Sequence, residues 1–324
     1  MKFTAAVLAL AAAGTALAEP RPAEKGKATF RAIDDQAQVA KCYRLDPYNF
    51  DFELKPVREL TVSGIDISHL TFPSPVASPH ASNNTVHADY YRPAGDGPFP
   101  GVLLLDILDG SQVVSRGLAN VFAQNGIASL IVTMPYYGPR RPTGENLRLI
   151  SPNIDQTFAN IRQTVLDNRC AAAWLAARPE INAKKLGIHG TSLGSFMGAL
   201  TAAAEPRFHR VSLMLGGGGL IDAYAGHPKA QPIFAALALV GGSKEALKAI
   251  VASADPITYA AELKKRKLLM IAASRDDVVP PSAATALWEA TGKQKIVWFN
   301  STHVGAVVHL FDATQHIVKH FKAD

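Results

Sequence analysis

Short apolar runs alternate with longer stretches of helical periodicity through the middle of the chain. Residues 102–105 and 127–132 are continuous apolar runs, typical of strands that are buried on both faces. Helices are predicted over residues 115–124 and from about 154 to 177, where apolar positions recur at helical spacing. Strands that alternate with helices form a mostly parallel sheet covered on both faces, so we predict an α/β fold.

The same alternation continues to the C-terminal end. A strand is predicted to end at His189, and further strands are predicted over residues 211–215, 268–272 and 295–299. A last helix is predicted over residues 304–321. Ahead of this region, residues 59–67 and 84–91 alternate in polarity and are rich in β-branched side chains, which indicates antiparallel strands at one edge of the sheet. Residues 19–75 are interpreted as an extension packed on the main domain, residues 76–324.

One connection is much longer than the others. About fifty residues separate the predicted strands at 211–215 and 268–272, and they contain helical signals at 233–239 and 244–251. Connections of this length are usually functional, so we predict a small helical cap insertion, about residues 219–264, over the site. The alternative is an ordinary crossover helix with a long loop.

The N-terminus has the pattern of a secretory signal peptide. Lys2 is followed by the apolar stretch 5–17, and the small-residue ending Ala16-Leu17-Ala18 precedes Glu19. The stretch is shorter than the ~20 residues that a membrane span needs, so no stable membrane anchor is expected. We therefore predict that residues 1–18 are removed and that the protein is exported, to a periplasm or out of the cell.

Composition narrows the range of functions. The chain has 324 residues, 48% hydrophobic and 19% charged, which fits a sizeable globular domain. Its net charge of +6 is spread out, and the densest basic cluster, residues 264–267, lacks interleaved aromatic side chains, so no nucleic-acid partner is expected. The oligomeric state cannot be deduced from these features.

The two cysteines leave two alternatives open. In an oxidising compartment Cys42 and Cys170 can form a disulfide that ties the extension to the main domain, or both can be buried free thiols. Neither has the spacing of a metal ligand. We expect no metal and no cofactor.

The segment Gly190-Thr191-Ser192-Leu193-Gly194 is the strongest chemical signal. It follows an apolar strand-like run and precedes a helix rich in small residues, and a serine on such a sharp strand-to-helix turn is exposed and activated for acyl transfer. The flanking glycines suit a turn that leaves no room for a Cβ. Ser192 is therefore the candidate nucleophile.

A serine nucleophile needs a base and an acid, and both occur downstream in the order Ser, Asp, His. Asp276 follows a predicted buried strand, with Asp277 as the alternative acid, and His303 follows the next strand and precedes the last helix. His189 lies inside a strand and is interpreted as a hydrogen-bonded core residue.

Backbone groups and loop side chains complete the candidate site. The N–H groups of Leu193 and Leu108 are the predicted oxyanion donors. Tyr136, Tyr137 and Arg140 follow a predicted strand and are candidate substrate contacts, although a rigid proline-bounded loop with solvated arginines is the alternative. His227 in the cap insertion is a further candidate contact.

From about Pro98 to Phe321 these residues resemble the α/β-hydrolase superfamily, in the branch of dienelactone hydrolases and acetyl (xylan) esterases. The most specific parts are residues 167–194, including Arg178-Pro179-Glu180-Ile181, and the Asp276 segment with Val279-Pro280. Relatives often carry His-Gly after the oxyanion strand, where this chain has Asp106-Ile107. The resemblance implies Ser192, Asp276 and His303 as catalytic residues.

The expected function is that of an exported serine hydrolase that cleaves a small-molecule or saccharide-linked carboxylic ester through an acyl-enzyme. Two alternatives remain open. The same residues can serve an amidase, a peptidase or an acyltransferase, or the chain can be a non-catalytic binding protein with a hydrolase fold.

Overall fold

The computed structural model describes residues 22–57, 65–228, 230, 231, 235 and 242–323. Ten strands of this part form one sheet in the order β1-β2-β3-β4-β6-β5-β7-β8-β9-β10. The strands are β1 (Glu24–Phe30), β2 (Tyr48–Pro56), β3 (Ile65–Pro73), β4 (Thr85–Pro93), β5 (Phe99–Leu105), β6 (Ala128–Val132), β7 (Ile181–Thr191), β8 (Arg210–Met214), β9 (Lys267–Ala273) and β10 (Lys295–Phe299).

The second half of the sheet is parallel. β6, β5, β7, β8, β9 and β10 run side by side in one direction, with Leu103 of β5 opposite Ile188 of β7. Val102, Leu103 and Leu104 have no exposed surface, as expected for a strand covered on both faces. The predicted α/β architecture with a mostly parallel sheet is confirmed.

The described part of the chain contains eight α-helices. They are α1 (Val113–Gln124), α2 (Ile154–Ala176), α3 (Leu193–Ala204), α4 (Leu220–Tyr224), α5 (Lys244–Val251), α6 (Ala260–Lys264), α7 (Pro281–Ala290) and α8 (Leu310–Lys322). α2, α3 and α7 share one hydrophobic core, and α1 and α8 share another on the opposite face of the sheet. Short 3₁₀ helices include Gly138–Arg140 and Val304–His309.

The first strands extend the sheet, which differs from the interpretation of residues 19–75 as a packed-on extension. β1 pairs with β2, β2 with β3 and β3 with β4, all antiparallel. β1 was missed because its side chains are mostly charged or small, so it shows no clear apolar alternation. β2 does alternate, with Phe50, Phe52 and Leu54 buried between polar residues, and this signal was overlooked. The predicted strand at 59–67 overlaps β3 only from Ile65, and residues 58–64 lie outside the described residues.

The predicted cap insertion is described only in part, since residues 229, 232–234 and 236–241 lie outside the described residues. Its first and last parts are held together at Asp255, whose carboxylate accepts the backbone N–H groups of Gly219 and Leu220 at 2.9 and 2.8 Å. The hydroxyl of Tyr224 on α4 donates to the carbonyl of Val278 at 2.5 Å. α4 is thereby attached to the loop that carries Asp276.

Both cysteines are free thiols, so of the two alternatives the disulfide is not formed. Cys170 is wholly buried on α2, and Cys42 is half-buried in the 3₁₀ helix Lys41–Tyr43. Burial raises the pKa of both thiols, which keeps them protonated at neutral pH.

The proposed signal peptide, residues 1–18, lies outside the described residues. Among the helices of residues 22–323 that the structure describes, none is both long and apolar enough to cross a bilayer.

Candidate active site

The Gly190–Gly194 segment forms a tight turn between β7 and α3. Ser192 has φ +52° and ψ −117°, a backbone conformation that residues other than glycine rarely adopt. A Cβ on Gly190 would collide with the carbonyl oxygen of Gly194, and one on Gly194 would collide with that of Leu105. The two glycines are therefore required by close backbone packing, which holds Ser192 at the end of the sheet.

Ser192, His303 and Asp276 lie in one hydrogen-bonded line. The Ser192 Oγ to His303 Nε2 distance is 2.9 Å, and the His303 Nδ1 to Asp276 Oδ2 distance is 2.8 Å. A carboxylate only accepts, so Nδ1 carries the proton and Nε2 is left to accept from the Ser192 hydroxyl. The structure brings together three side chains that are far apart in the sequence, in the arrangement that activates a serine.

The two candidate acids have different roles in the structure. Asp276 is 8% exposed, and its second oxygen accepts the backbone N–H groups of Val278 and Val279 at 2.9 and 2.7 Å. Asp277 Oδ1 instead accepts the backbone N–H of His303 at 3.3 Å. Asp276 therefore orients the imidazole ring, whereas Asp277 contacts the backbone that carries it.

The two expected oxyanion donors belong to two segments that meet near Ser192. Leu193 is the first residue of α3, so its backbone N–H has no acceptor within the helix. Leu108 lies in the loop that follows β5 and lines the same cavity as Ser192. Since Gly194 packs directly on the end of β5, this loop is held beside the nucleophile.

Asp106, which stands where relatives often have histidine, fixes that loop. Its side chain is 2% exposed and accepts the backbone N–H of Gln112 at 2.7 Å, the hydroxyl of Ser115 at 2.8 Å and the backbone N–H of Ser115 at 3.3 Å. Burial raises the pKa of Asp106, and the hydrogen bonds from Ser115 and Gln112 partly offset this. Asp106 thus joins both ends of the segment that contains Leu108.

A cavity of about 740 Å³ opens at Ser192 and His303. Most of its wall is apolar, and the remaining lining side chains are few and polar, which is typical of a small-molecule site. The wall consists of Ile107, Leu108, Asp109, Val114, Tyr137, Arg141, Arg148, Thr191, Met214, Leu215, Val278, Val304, Ala306, Val307 and Leu310.

Tyr137 is the predicted contact residue that reaches this cavity. It is 3% exposed, and its hydroxyl oxygen is buried without a hydrogen-bond partner in the described part of the chain. Burial raises the pKa of Tyr137, and the positive charges of Arg148 and Arg141 oppose that rise, so both guanidinium groups lie near the ring. A buried hydroxyl that lacks a partner costs free energy, so a bound molecule that reached it would gain a hydrogen bond.

Three predicted substrate contacts do not line the cavity. Arg140 is wholly buried and pairs with Asp167, because its guanidinium points into the protein beneath the loop. Tyr136 is 3% exposed and packs edge-on against His80, with ring centroids 5.7 Å apart. His227 packs edge-on against Tyr224, with centroids 5.4 Å apart. These three candidate contacts are therefore absent from the cavity wall, and the buried Arg140 also differs from the alternative of a loop with solvated arginines.

Sequence reasoning missed several residues of the wall. Arg148 lies in a loop with no periodic pattern, and nothing in the sequence marks it. Val304, Val307 and Leu310 are spaced by three, which a 3₁₀ helix places on one face, but the sequence was interpreted as one continuous helix.

His189 was correctly assigned to the core: it is 2% exposed, and its ring nitrogens lie 3.0 and 3.1 Å from the hydroxyls of Ser212 and Thr191.

Within the described ranges no group of three or more His, Cys, Asp or Glu side chains is placed to hold a metal ion.

The family model described as "Alpha/beta hydrolase domain containing 18" matches residues 109–215, which include the turn that carries Ser192. A search of the curated proteins by sequence finds no match.

Solved structures resemble the chain over most of its length. An acetyl xylan esterase from Paenibacillus sp. R4 aligns with a TM-score of 0.66 at 17% identity, covering 83% of this chain and 88% of that one. Acetyl xylan esterase 1 from Thermoanaerobacterium sp. JW/SL YS485 aligns with a TM-score of 0.61 at 18% identity, covering 84% and 88%. A putative dienelactone hydrolase from Klebsiella pneumoniae subsp. pneumoniae MGH 78578 aligns with a TM-score of 0.53 at 17% identity, covering 80% and 99%.

Proposed function

We propose that this chain, which has the α/β-hydrolase fold, is a serine hydrolase that cleaves a carboxylic ester through an acyl-enzyme. The observation that carries the proposal is the line from Ser192 Oγ through His303 to Asp276, with distances of 2.9 and 2.8 Å, at the floor of an apolar cavity. The esterases among the similar structures support it.

The proposed first half-reaction forms an ester with the protein. Ser192 Oγ attacks the acyl carbon while its proton moves to His303 Nε2, and the carboxylate of Asp276 stabilises the imidazolium. The carbonyl oxygen becomes negatively charged and accepts hydrogen bonds from the backbone N–H groups of Leu193 and Leu108. The bond to the alcohol oxygen then breaks, and His303 gives its proton to the departing alcohol.

The second half-reaction regenerates the protein. A water molecule gives a proton to His303 Nε2 and attacks the acyl carbon of the ester at Ser192. The bond to Ser192 Oγ breaks, the acid is released, and the proton returns to Ser192. No step requires a metal or a cofactor.

Covalent labelling tests the proposal. A fluorophosphonate phosphonylates an activated serine and loses fluoride, so we expect one adduct on Ser192 of the full chain, located by mass spectrometry. Ser192→Ala should give no adduct, and His303→Ala should be labelled at least ~100-fold more slowly, because general-base assistance is worth about that much. Equal labelling of His303→Ala and the unchanged protein would contradict the mechanism, and no labelling of Ser192 would favour a non-catalytic binding protein.

We also propose that residues 1–18 are a signal peptide and that the protein acts in a periplasm or outside the cell. The apolar stretch at 5–17 and the small residues before Glu19 support this. N-terminal sequencing of protein isolated from a secreting host should find Glu19 as the first residue. An intact Met1 on the folded protein would contradict it.

A further inference from the structure

The segment after His303 forms one wall of the cavity with two rows of apolar side chains. Val304–His309 is a 3₁₀ helix that leads directly into α8, and side chains three residues apart share a face of a 3₁₀ helix. Val304, Val307 and Leu310 form an inner row that lines the cavity. Val308 follows Val307 and Phe311 follows Leu310, and these two residues form an outer row beside the inner one.

These apolar side chains are unusually exposed. Val304, Val307, Val308 and Phe311 have 77%, 65%, 78% and 74% of their surface in solvent. Leu108 and Val113, at 50% and 70%, are further exposed apolar residues near the cavity, since Leu108 and Val114 both line it. A contiguous apolar surface of this kind on a folded protein usually marks a binding site, since single exposed apolar residues are common but clusters are not.

The two rows are continuous with the site rather than separate from it. Val304 and Val307 belong both to the cavity wall and to the exposed surface. The stretch Val304–Phe311 carries no Asp, Glu, Lys or Arg, and its one histidine, His309, stacks on Phe299 with centroids 4.6 Å apart. An aliphatic group bound in the cavity therefore has an uninterrupted apolar path out to Phe311.

The chemistry of the wall also separates two classes of ester. Sugars are bound by aromatic faces together with several hydrogen-bonding side chains, but Tyr137 is the single aromatic residue among those that line the cavity in the described part of the chain. Apart from Thr191 and the two reacting residues Ser192 and His303, the polar lining residues are Tyr137, Arg141, Arg148 and Asp109. These four lie together, since the charges of Arg141, Arg148 and Asp109 all act on the Tyr137 hydroxyl. The rest of the wall favours hydrocarbon over carbohydrate.

We propose that the substrate is an ester with a long aliphatic chain, which lies along the inner row and extends over Val308 and Phe311. This rests on the proposed function, and it names the substrate class. Each methylene that leaves water along the rows favours binding by about fourfold.

The test uses two series of esters below their solubility limits: p-nitrophenyl esters of increasing acyl length, and acetates of increasingly long primary alcohols. In at least one series kcat/KM should rise by about fourfold per methylene over the first few carbons and then level off. The double substitution Val308→Ser with Phe311→Ser should lower kcat/KM for the longest ester of that series on the order of tenfold. The rate on p-nitrophenyl acetate should remain within about twofold, because a two-carbon acyl group does not reach the outer row.

A matched control makes the same exchange at exposed apolar residues that do not line the cavity. Ile33 and Ile250 are 57% and 52% exposed, and Ile33→Ser with Ile250→Ser should change neither rate. An acetylated xylose or cellobiose, assayed by acetate release, represents the carbohydrate class.

The outcomes separate this inference from the proposed function. If no ester is hydrolysed and Ser192 is not labelled, the proposed function fails. If short esters are hydrolysed but both chain-length profiles are flat, the aliphatic substrate class is overturned while the hydrolase remains. It is overturned in the same way if the outer-row variant loses activity on short and long esters alike, or if the acetylated sugar is a better substrate than the long esters.

Discussion

Arg140 Nη2 donates to Asp167 Oδ2 at 2.8 Å, and the two side chains are 0% and 1% exposed. The same guanidinium donates to the carbonyl oxygens of Asn83 and Thr133, and Asp167 Oδ1 accepts from the hydroxyl of Ser74 at 2.6 Å. This pair fastens the loop after β6 to α2. The loop in turn carries Tyr137 into the cavity.

Removing one partner of this pair should be costly. Arg140→Met leaves Asp167 buried without its counter-charge, and we expect the free energy of unfolding to fall by about 3–5 kcal/mol in urea titrations. Arg141→Met is the matched control: Arg141 is exposed, so its loss should cost less than ~0.5 kcal/mol. Equal losses in the two variants would contradict the buried pairing.

The acid of the proposed mechanism can be identified by isosteric exchange. Asp276→Asn keeps the shape of the side chain but removes the charge that stabilises the imidazolium, so kcat for p-nitrophenyl acetate should fall by about 10³–10⁴ with unfolding almost unchanged. Asp277→Asn should lower kcat by less than ~10-fold, since the amide oxygen of Asn can still accept the backbone N–H of His303. If the larger loss followed the exchange at Asp277, the assignment of the acid would be wrong.

Asp106 should act on kcat through the oxyanion loop. Asn at this position can accept with one oxygen only, so Gln112 or Ser115 loses its acceptor and the backbone at Leu108 shifts. We expect Asp106→Asn to lower kcat by about 10–100-fold with KM within about twofold, because a weakened oxyanion donor affects the transition state rather than substrate binding. A rise in KM at constant kcat would show that Asp106 shapes the substrate pocket instead.

The unpartnered hydroxyl of Tyr137 should contribute to binding. Tyr137→Phe keeps the ring and removes only the hydroxyl, so KM for the preferred ester should rise by about 3–10-fold with little change in kcat, the value of one hydrogen bond. The adjacent exchange Tyr136→Phe should leave KM unchanged, since Tyr136 packs on His80 away from the cavity. A hydroxyl that never contacts substrate would give the same KM in both variants.

His189 should make the protein less stable in acid. Burial lowers the pKa of His189 to about 3 from an ordinary value of 6.5, so the unfolded chain takes up a proton before the folded one as the pH falls. The free energy of unfolding should therefore decrease between about pH 6.5 and 3, by about 1.4 kcal/mol per pH unit from this group. His189→Gln should have a shallower slope in urea titrations over that range, and identical slopes would contradict the prediction.

The architecture was largely predictable because the buried strands leave a plain signal. Continuous apolar runs such as Val102–Leu105 and Leu268–Ala272 are typical of strands that are covered on both faces, and these residues are buried. The predicted α/β-hydrolase fold is confirmed by the sheet and by the similar structures. β1 and β2 gave no such signal, because their charged side chains face solvent.

For the site, the sequence could supply residues near strand ends but not the directions of their side chains. Ser192, Asp276 and His303 could be proposed because each follows a parallel strand, and such strands end at one edge of the sheet. Arg140 and Arg141 are adjacent and identical in type, yet one is buried and the other lines the cavity. The difference depends on Asp167, whose position beneath Arg140 only the folded chain reveals.

The antiparallel strands at the start of the chain have a practical consequence for anyone who prepares shortened versions. Glu24 on β1 holds Arg178 through two hydrogen bonds of 2.8 and 2.9 Å, and the carbonyl of Tyr43 accepts from the wholly buried Arg169 at 2.5 Å. A clone that starts at the predicted boundary near residue 76 would discard three strands, strip these partners from both arginines and open the edge of β4 to other molecules. Such a truncation would yield insoluble material, whereas cutting before residue 22 spares every contact described for the N-terminal strands.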